Sequence, residues 1–237
     1  MANSYFKFKQ FTIYHDKCGM KVGTDGVLLG AWANIKNINK ILDVGTGTGL
    51  IAIMLAQRTN TIIEAVELES NAYEQAKINV SLCPWNKRIS LHNLSFQEYA
   101  SSCQILFDLI ICNPPYFENS LKSTKKNRNI ARHTDTLSHN DLLTGAYKLL
   151  SENGRFAVIM PYAEGNKFIA EASGAGLYCI KRTSVKATSS SSFKRLLIEF
   201  SKIPQKIDDN LLIIGTDVIN NYSDEFRQLS KEFYLAF

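Results

Sequence analysis

A short apolar run that ends in two prolines constrains the fold of this chain more than any other stretch. The run, Phe-Asp-Leu-Ile-Ile-Cys over residues 107–112, is rich in large apolar side chains and is typical of a strand buried on both faces. Pro114 and Pro115 end it, because they cannot donate backbone hydrogen bonds and their rings fix φ. We therefore predict a central strand of an open α/β sheet, with a rigid turn at the carboxyl edge where such sheets bind ligands.

The turn, Asn113-Pro114-Pro115-Tyr116, carries groups that can hold a planar amine. The Asn113 side-chain oxygen and the Pro114 carbonyl can each accept a hydrogen bond from one –NH2 group. The Tyr116 ring can stack on the flat group that bears the amine. A plain strand-ending turn is the alternative interpretation, but the whole motif directly after a buried strand favours a site. These four residues are our candidate catalytic residues, for an adenine, a guanine or a side-chain amide.

A second buried strand, residues 40–44, leads into a glycine-rich turn with the pattern Asp43-x-Gly45-x-Gly47-x-Gly49. A helix is predicted directly after it, over residues 50–58, so the turn brings backbone N–H groups close to a ligand. The dinucleotide fingerprint G-x-G-x-x-G would require a glycine where this chain has Leu50. The carboxylate ahead of the turn would repel a pyrophosphate and suits a ligand that carries an ammonium group.

The next two strands add candidate contacts. Glu67 ends a strand over residues 62–67, and a carboxylate at that position can accept both hydroxyls of a ribose. We expect Glu69, two residues further, to be solvated. A third strand over 88–93 leads into a loop in which Ser95 and Phe96 are candidates for contact with an adenine.

Periodicity and turn residues predict the remaining elements. Residues 5–14 form a strand or short hairpin, and a helix from about residue 26 is capped by Thr24 or Asp25, although Asp25 could instead serve a ligand. We further expect four helices: one over 71–82 capped near Ser70 or Asn71, one from Ser138 to Leu150, one over 164–175, and a capped one from Ser223 to Phe237. A turn at 152–155, a strand over 156–161 and an antiparallel pair over 178–186 and 194–201 complete the prediction.

The charge distribution permits a nucleic-acid partner without requiring one. The net charge is +5, from 27 basic and 22 acidic residues. Residues 119–134 are basic, contain no acid and directly follow the proline turn, so they either clamp a phosphodiester backbone or form a solvated loop. The candidate RNA contacts are Lys122, Lys125, Lys126, Arg128, Arg132 and His133.

Cysteine, histidine and hydropathy patterns limit the class of protein to which this chain can belong. The five cysteines show no pairing pattern, which indicates reduced thiols and a cytoplasmic protein. The four histidines lack metal-ligand spacing, and no run of eighteen apolar residues exists to cross a membrane. We expect a monomer that holds no metal.

Together the glycine turn, Glu67 and the Asn-Pro-Pro-Tyr motif resemble class I S-adenosylmethionine-dependent methyltransferases. The resemblance is closer still to the bacterial tRNA(Val) adenine-N6-methyltransferase family. It rests there on Met20-Lys21-Val22-Gly23-Thr24-Asp25-Gly26, on Ala131-Arg132-His133 and on Glu232-Phe233-Tyr234-Leu235, and it spans almost the whole chain.

The resemblance implies a Rossmann-like α/β fold: a seven-stranded, mostly parallel sheet with helices on both faces and an antiparallel last strand. It implies one methyltransferase domain over residues 1–237, with 1–33 as an N-terminal strand and helix extension. Where many relatives carry an Asp after the third strand, this chain has Leu94-Ser95-Phe96. The resemblance implies that Asp43 and the backbone of Gly45, Gly47 and Gly49 hold the methionine part of S-adenosyl-L-methionine and that Glu67 holds its ribose. Further implied cofactor contacts are Thr46, Leu68, Ser95, Phe96, Asn113 and Asp25.

The implied activity is transfer of a methyl group from S-adenosylmethionine to the N6 amine of an adenine in tRNA, expected to be tRNA(Val) next to the anticodon. Three alternatives remain open on the residues. One is methylation of a glutamine amide in a protein, and another is methylation of a guanine amine in rRNA. The third is an RNA-binding or assembly protein that retains the cofactor pocket without turnover.

Overall fold

The described part of the chain is built on an eight-stranded sheet. The structure, a computed structural model, describes residues 3–18, 21–114, 137–216, 218 and 221–237. Its strands are β1 (Tyr5–Lys7), β2 (Thr12–Tyr14), β3 (Lys40–Val44), β4 (Ile62–Glu67), β5 (Ile89–Asn93), β6 (Phe107–Cys112), β7 (Leu150–Pro161), β8 (Tyr178–Lys186), β9 (Phe193–Ser201) and β10 (Asp208–Ile213). Its helices are α1 (Thr24–Trp32), α2 (Leu50–Arg58), α3 (Ser70–Leu82), α4 (Phe96–Ser102), α5 (His139–Leu149), α6 (Tyr162–Gly174) and α7 (Asp224–Ser230), with a 3-10 turn at Asn86–Arg88.

The strand order in the large sheet is β10-β8-β9-β7-β6-β3-β4-β5. Strand β9 runs antiparallel to both of its neighbours, and every other pairing in this sheet is parallel. The predicted Rossmann-like fold with an antiparallel last strand is confirmed. Strand β10 adds an eighth, unpredicted strand beside β8. Its sequence, Asp-Asp-Asn-Leu-Leu-Ile, lacks the apolar alternation that signals a strand, and most of its residues are exposed.

Helices cover both faces of the sheet, as expected. Ile41 and Ile111 belong to a core cluster that also contains buried residues of α1 and α2. Leu42 and Ile110 belong to a second cluster, with residues of α4, α5 and α6. Neighbouring residues of β3 and β6 therefore bury their side chains on opposite faces, which explains why these strands are apolar throughout.

The N-terminal hairpin is tied to the helix beside the glycine turn. Strands β1 and β2 pair antiparallel, so the hairpin interpretation of residues 5–14 is confirmed. The fully buried Asn79 of α3 accepts a hydrogen bond from the Tyr14 N–H (2.9 Å) and donates to the carbonyls of Tyr14 and Thr48, both at 2.8 Å. One amide thus links the hairpin, α3 and the glycine turn.

Three local predictions were wrong. Helix α1 begins at Thr24, and its N-cap is Gly23, so neither Thr24 nor Asp25 caps it. The N-cap of α3 is Glu69, whose carboxylate accepts from the N–H groups of Asn71 (3.1 Å) and Ala72 (2.7 Å) and is therefore not merely solvated. A carboxylate suits this place because helix N-termini expose unpaired N–H groups.

The third wrong prediction concerns residues 152–155, which lie inside β7 and do not form a turn. A register shift opposite Phe107 and Leu109 of β6 accommodates them. The predicted caps at Ser138 and Ser223 are confirmed, since each hydroxyl accepts a hydrogen bond from the backbone three residues on, at 3.1 Å. Helix α7 ends at Ser230, however, well short of the predicted end at Phe237.

Close packing of α5 on α4 gives a test of the fold. A Cβ on Gly145 would lie 2.4 Å from Cε1 and 2.8 Å from Cζ of the buried Phe96 ring. Gly145→Ala should therefore destabilise the protein by about 1–3 kcal/mol, as expected for overpacking. The control is Gly174→Ala at the end of α6, where a Cβ meets no atom within 4 Å, and this variant should be as stable as wild type or slightly more stable. Urea unfolding measures both, and equal stabilities would contradict the packing described.

Candidate active site

Three strands end side by side at one edge of the sheet. Val44 of β3 pairs with Val66 of β4 on one side and with Cys112 of β6 on the other. Gly45, Glu67 and Asn113 directly follow these three residues. The structure thus brings the glycine turn, the strand-ending carboxylate and the amide of the proline turn to the same edge.

Asp43 is a fully buried carboxyl group beneath the glycine turn. Its Oδ2 accepts hydrogen bonds from the Thr46 hydroxyl at 2.6 Å and from the Ala52 N–H at 3.2 Å. Its Oδ1 has no hydrogen-bond partner among the residues that the structure describes. Burial raises the pKa of Asp43 from its ordinary value of 3.8 to about 7, against the lowering effect of the two hydrogen bonds. Such a group can accept a hydrogen bond from a cationic ligand and become fully charged in doing so.

The glycine turn leaves open space beside its backbone. Gly45 and Gly47 have φ values of 68° and 57°, a region that other residues rarely adopt. A Cβ on either residue would meet no atom of the described residues within 4 Å, so these residues leave space on that side. The N–H groups of Gly45 and Thr46 donate to the Val66 carbonyl at 2.9 and 3.1 Å, which fixes the turn to the end of β4.

Glu67 is held by the backbone at both carboxylate oxygens. Oε2 accepts from the Gly47 N–H at 2.8 Å, and Oε1 accepts from the Glu69 N–H at 2.9 Å. Each oxygen keeps a further lone pair with which it can accept a ligand hydroxyl. The half-exposed Leu68 follows, and its carbonyl accepts from Asn93 Nδ2 at 3.2 Å, as does the Glu67 carbonyl at 2.9 Å.

The sequence reasoning missed Asn93. Its position is the feature that indicates a role, because Asn93 ends the third parallel strand and pairs in register with Glu67. A side-chain amide at this level of the sheet can fix the two carbonyls on the neighbouring strand end.

Ser95 and Phe96 have structural contacts of their own. Ser95 is the N-cap of α4: its hydroxyl accepts from the Glu98 N–H at 3.1 Å, while the Glu98 carboxylate accepts from the Ser95 N–H at 2.9 Å. Phe96 is buried in the second core cluster. The Ser-x-x-Glu spacing of this capping box was readable in the sequence. Contact of Ser95 and Phe96 with an adenine stays a prediction.

The proline turn is described as far as Pro114. Asn113 is partly exposed and Pro114 is buried. Before them, the buried Cys112 thiol has a pKa well above its ordinary value, because of burial first and then the nearby charges of Asp43 and Glu67. Cys112 is thus a neutral packing residue. The predictions made for Pro115, Tyr116, Lys122, Lys125, Lys126, Arg128, Arg132 and His133 lie outside the described residues.

Asp25 lies at the same edge but is ion-paired. Its Oδ2 accepts from Nε of Arg195 on β9 at 2.8 Å, and Arg195 is in register with Pro161 at the carboxyl end of β7. Two strands separate this pair from Asp43 in the sheet. A contact of Asp25 with the cofactor stays a prediction.

Comparison with known proteins identifies the family. The family model described as the methyltransferase small domain matches residues 22–173. The tRNA1(Val) (adenine(37)-N6)-methyltransferase of Trichodesmium erythraeum is 47% identical over 240 aligned residues that cover 100% of both chains. The chain belongs to the tRNA1(Val) (adenine(37)-N6)-methyltransferase family. Other members of this family include the enzymes of that name from Parabacteroides distasonis, 46% identical over 99% of both chains, and Pseudoalteromonas translucida, 47% identical over 98% of this chain and 99% of the relative.

Solved methyltransferase structures share the fold of this family member. A predicted O-methyltransferase from Agrobacterium tumefaciens matches with a TM-score of 0.70 at 17% identity, over 88% of this chain and 96% of the other. A glycopeptide N-methyltransferase in complex with S-adenosyl-L-methionine matches with a TM-score of 0.57 at 12% identity, over 76% of this chain and 99% of the other. These matches confirm the expected fold class.

Among the residues that the structure describes, no helix could span a membrane. Nor do these residues contain a cluster of three or more His, Cys, Asp or Glu side chains that could hold a metal ion.

The buried Asp43 predicts a pH-dependent stability. The unfolded chain releases this proton near pH 3.8, whereas the folded chain keeps it until about pH 7. Between these values the unfolded state binds fewer protons, so the contribution of Asp43 to stability falls as the pH rises. Without ligand, the free energy of unfolding of wild type should fall by about 2–3 kcal/mol more than that of Asp43→Asn between pH 5 and pH 8. Urea unfolding at constant ionic strength measures this difference, and parallel pH profiles would refute the raised pKa.

Proposed function

We propose that this protein transfers a methyl group from S-adenosylmethionine to the N6 amine of an adenine in tRNA, namely adenine 37 of tRNA1(Val). The observation that carries the proposal is the placement of Asn113-Pro114 beside Asp43 and Glu67 at one edge of the sheet. Relatives that carry this activity in their names are 45–47% identical over 98–100% of the chain, which supports the same substrate. We place the activity in the cytoplasm, with its tRNA.

The described residues fit S-adenosylmethionine. The unpartnered Oδ1 of Asp43 suits the ammonium of its methionine part, and the open side of Gly45 and Gly47 leaves room beside the backbone. The backbone-held carboxylate of Glu67 suits the ribose hydroxyls. When bound, this cofactor supplies an electrophilic methyl group on a sulfonium.

In this proposal Asn113 and Pro114 orient the nucleophile. The Asn113 side-chain oxygen and the Pro114 carbonyl accept the two hydrogens of the adenine amine. These two bonds fix the plane of the base and favour a pyramidal nitrogen, whose lone pair is otherwise delocalised into the ring. Positioning of this kind can account for a large part of a rate enhancement.

The chemistry requires no strong base at the site, because the nitrogen loses its proton after it has become cationic. The target adenine must leave its stack before the turn can hold it, and Tyr116 is the residue we expect to stack on it.

The experiment that tests the function uses purified protein, labelled S-adenosylmethionine and bulk tRNA from a strain that lacks the gene. Nucleoside analysis should find the label in N6-methyladenosine. Label in a protein fraction would instead support methylation of a glutamine amide. Label in a guanine nucleoside of rRNA would instead support methylation of a guanine amine. Absence of turnover on all three substrates would favour a binding protein.

Asn113→Ala tests whether Asn113 orients the substrate amine and is not required for cofactor binding. Loss of one amine acceptor should lower kcat at least about 100-fold, because the nucleophile is no longer held in place. The affinity for S-adenosylmethionine, measured by calorimetry, should stay close to that of wild type.

The matched control is Asn93→Ala, which removes an amide at the end of a neighbouring strand. Because Asn93 holds the carbonyls of Glu67 and Leu68, this variant should weaken cofactor binding and keep most of kcat at saturating cofactor. Loss of cofactor binding in the Asn113 variant would refute the assignment of roles.

A further inference from the structure

A stacked aromatic pair lies at the same sheet edge as Asn113, on the opposite side of β6 from the glycine turn. Its inner ring, Tyr162, is partly buried against the second core cluster, and its outer ring, Phe193, is exposed. The rings of Tyr162 and Phe193 stack, with centroids 4.7 Å apart and planes 22° apart. Phe193 nevertheless leaves 40% of its surface exposed. The Lys186 ammonium lies 5.0 Å from the centroid of the Phe193 ring.

Sheet register explains why these residues meet. Lys186 ends β8 and pairs with Phe193, which begins β9, and Tyr162 directly follows Pro161, the last residue of β7. Strand β7 lies next to β6, with Val158 in register with Cys112. Tyr162 is therefore four residues beyond the level of Cys112, which is about 13 Å along the strand direction. The aromatic pair therefore lies beyond the level at which β6 ends.

The charges around this pair suit a polyanion. Lys186 and the exposed Lys194 carry positive charges on the two strands that meet there. The acid Asp25 at this edge is neutralised by Arg195, and Glu164 in the first turn of α6 is the other carboxylate near the pair in sequence. Exposed aromatic rings with cations beside them are what proteins use to bind unpaired nucleotides, since every base has a face that can stack.

We propose that Tyr162 and Phe193 form a stacking platform for an unpaired base near the target adenine, and that Lys186 and Lys194 contact the adjacent phosphates. This inference rests on the proposed function, because it takes tRNA as the substrate, and it assigns the substrate contact to residues outside the proline turn and outside the basic segment 119–134.

The first test compares Phe193→Leu with Phe193→Trp. Leucine keeps apolar cover over the strand but cannot stack, so the KM for tRNA and the dissociation constant of labelled tRNA should rise about 10-fold, which corresponds to about 1.4 kcal/mol. The change in KM should be larger than the change in kcat measured at saturating tRNA. Phe193→Trp should have near-wild-type values of both. A purely structural role would lower stability in Phe193→Leu without this selective loss of tRNA affinity.

The matched control lies at the opposite edge of the sheet. Tyr147 is 45% exposed, and the Lys202 ammonium lies 4.7 Å from the centroid of its ring. Lys202 directly follows the last residue of β9. Tyr147→Leu should leave tRNA affinity unchanged. If it weakens tRNA binding as much as Phe193→Leu does, the effect is non-specific and the platform is overturned.

The lysines are tested separately by salt dependence. Lys186→Ala removes a surface charge and should lower the slope of log affinity against log salt by about one unit. Equal tRNA affinity of wild type, Phe193→Leu and Lys186→Ala would overturn the platform even if tRNA is methylated. Platform-dependent tRNA binding without methylation of tRNA by the wild-type protein would overturn the proposed function alone.

Discussion

The register between β3 and its two neighbours is the constraint on which the site depends. Strand β3 is buried on both faces, with Ile41 and Leu42 in opposite core clusters. A slip of one residue would exchange those faces, and it would move Asp43 out from under the glycine turn. Burial of apolar side chains thus fixes the register. The register in turn makes three strands end at one level, so the site requires no long loop to bring the glycine turn, Glu67 and Asn113 together.

At that edge, burial of the carboxyl group of Asp43 lowers the stability of the fold. Burying a carboxylate is unfavourable unless its oxygens are paired, and the described part of the chain pairs Oδ2 alone, through Thr46 and Ala52. The protein offsets part of the cost by keeping the group protonated up to about pH 7. The unpaired Oδ1 leaves an unfavourable interaction that a cationic ligand can relieve, so ligand binding and protein stability are linked at this residue.

Those features that are local in sequence could be predicted, and those that depend on tertiary contacts could not. The buried strands, the glycine turn with helix α2 and the caps at Ser138 and Ser223 follow from short patterns. Strand β10 carries no such pattern, because it is an exposed edge strand that pairs with β8. The role of Asn93 as a clamp on Glu67 depends on carbonyl groups that only the folded chain brings near. The cap at Glu69 is local, but Ser and Asn are more typical N-cap residues than Glu, so the pattern favours Ser70 or Asn71. The capping box at Ser95 is local as well, because Ser95 and Glu98 are three residues apart and the Ser-x-x-Glu spacing alone predicts it.

The carboxyl edge of the sheet has an acidic half and a basic half, and each half favours a different ligand of the proposed reaction. The half formed by β3 and β4 carries Asp43 and Glu67, which favour a ligand with ammonium and sulfonium charges and disfavour phosphates. The half formed by β7, β9 and β8 carries Lys186 and Lys194, with Asp25 neutralised by Arg195. The neutral Asn113-Pro114 turn on β6 lies between them. In the proposed reaction, a polyanion docked on the basic half would be repelled by the acidic half, so the target base could reach the turn while its backbone stays outside the proposed cofactor site.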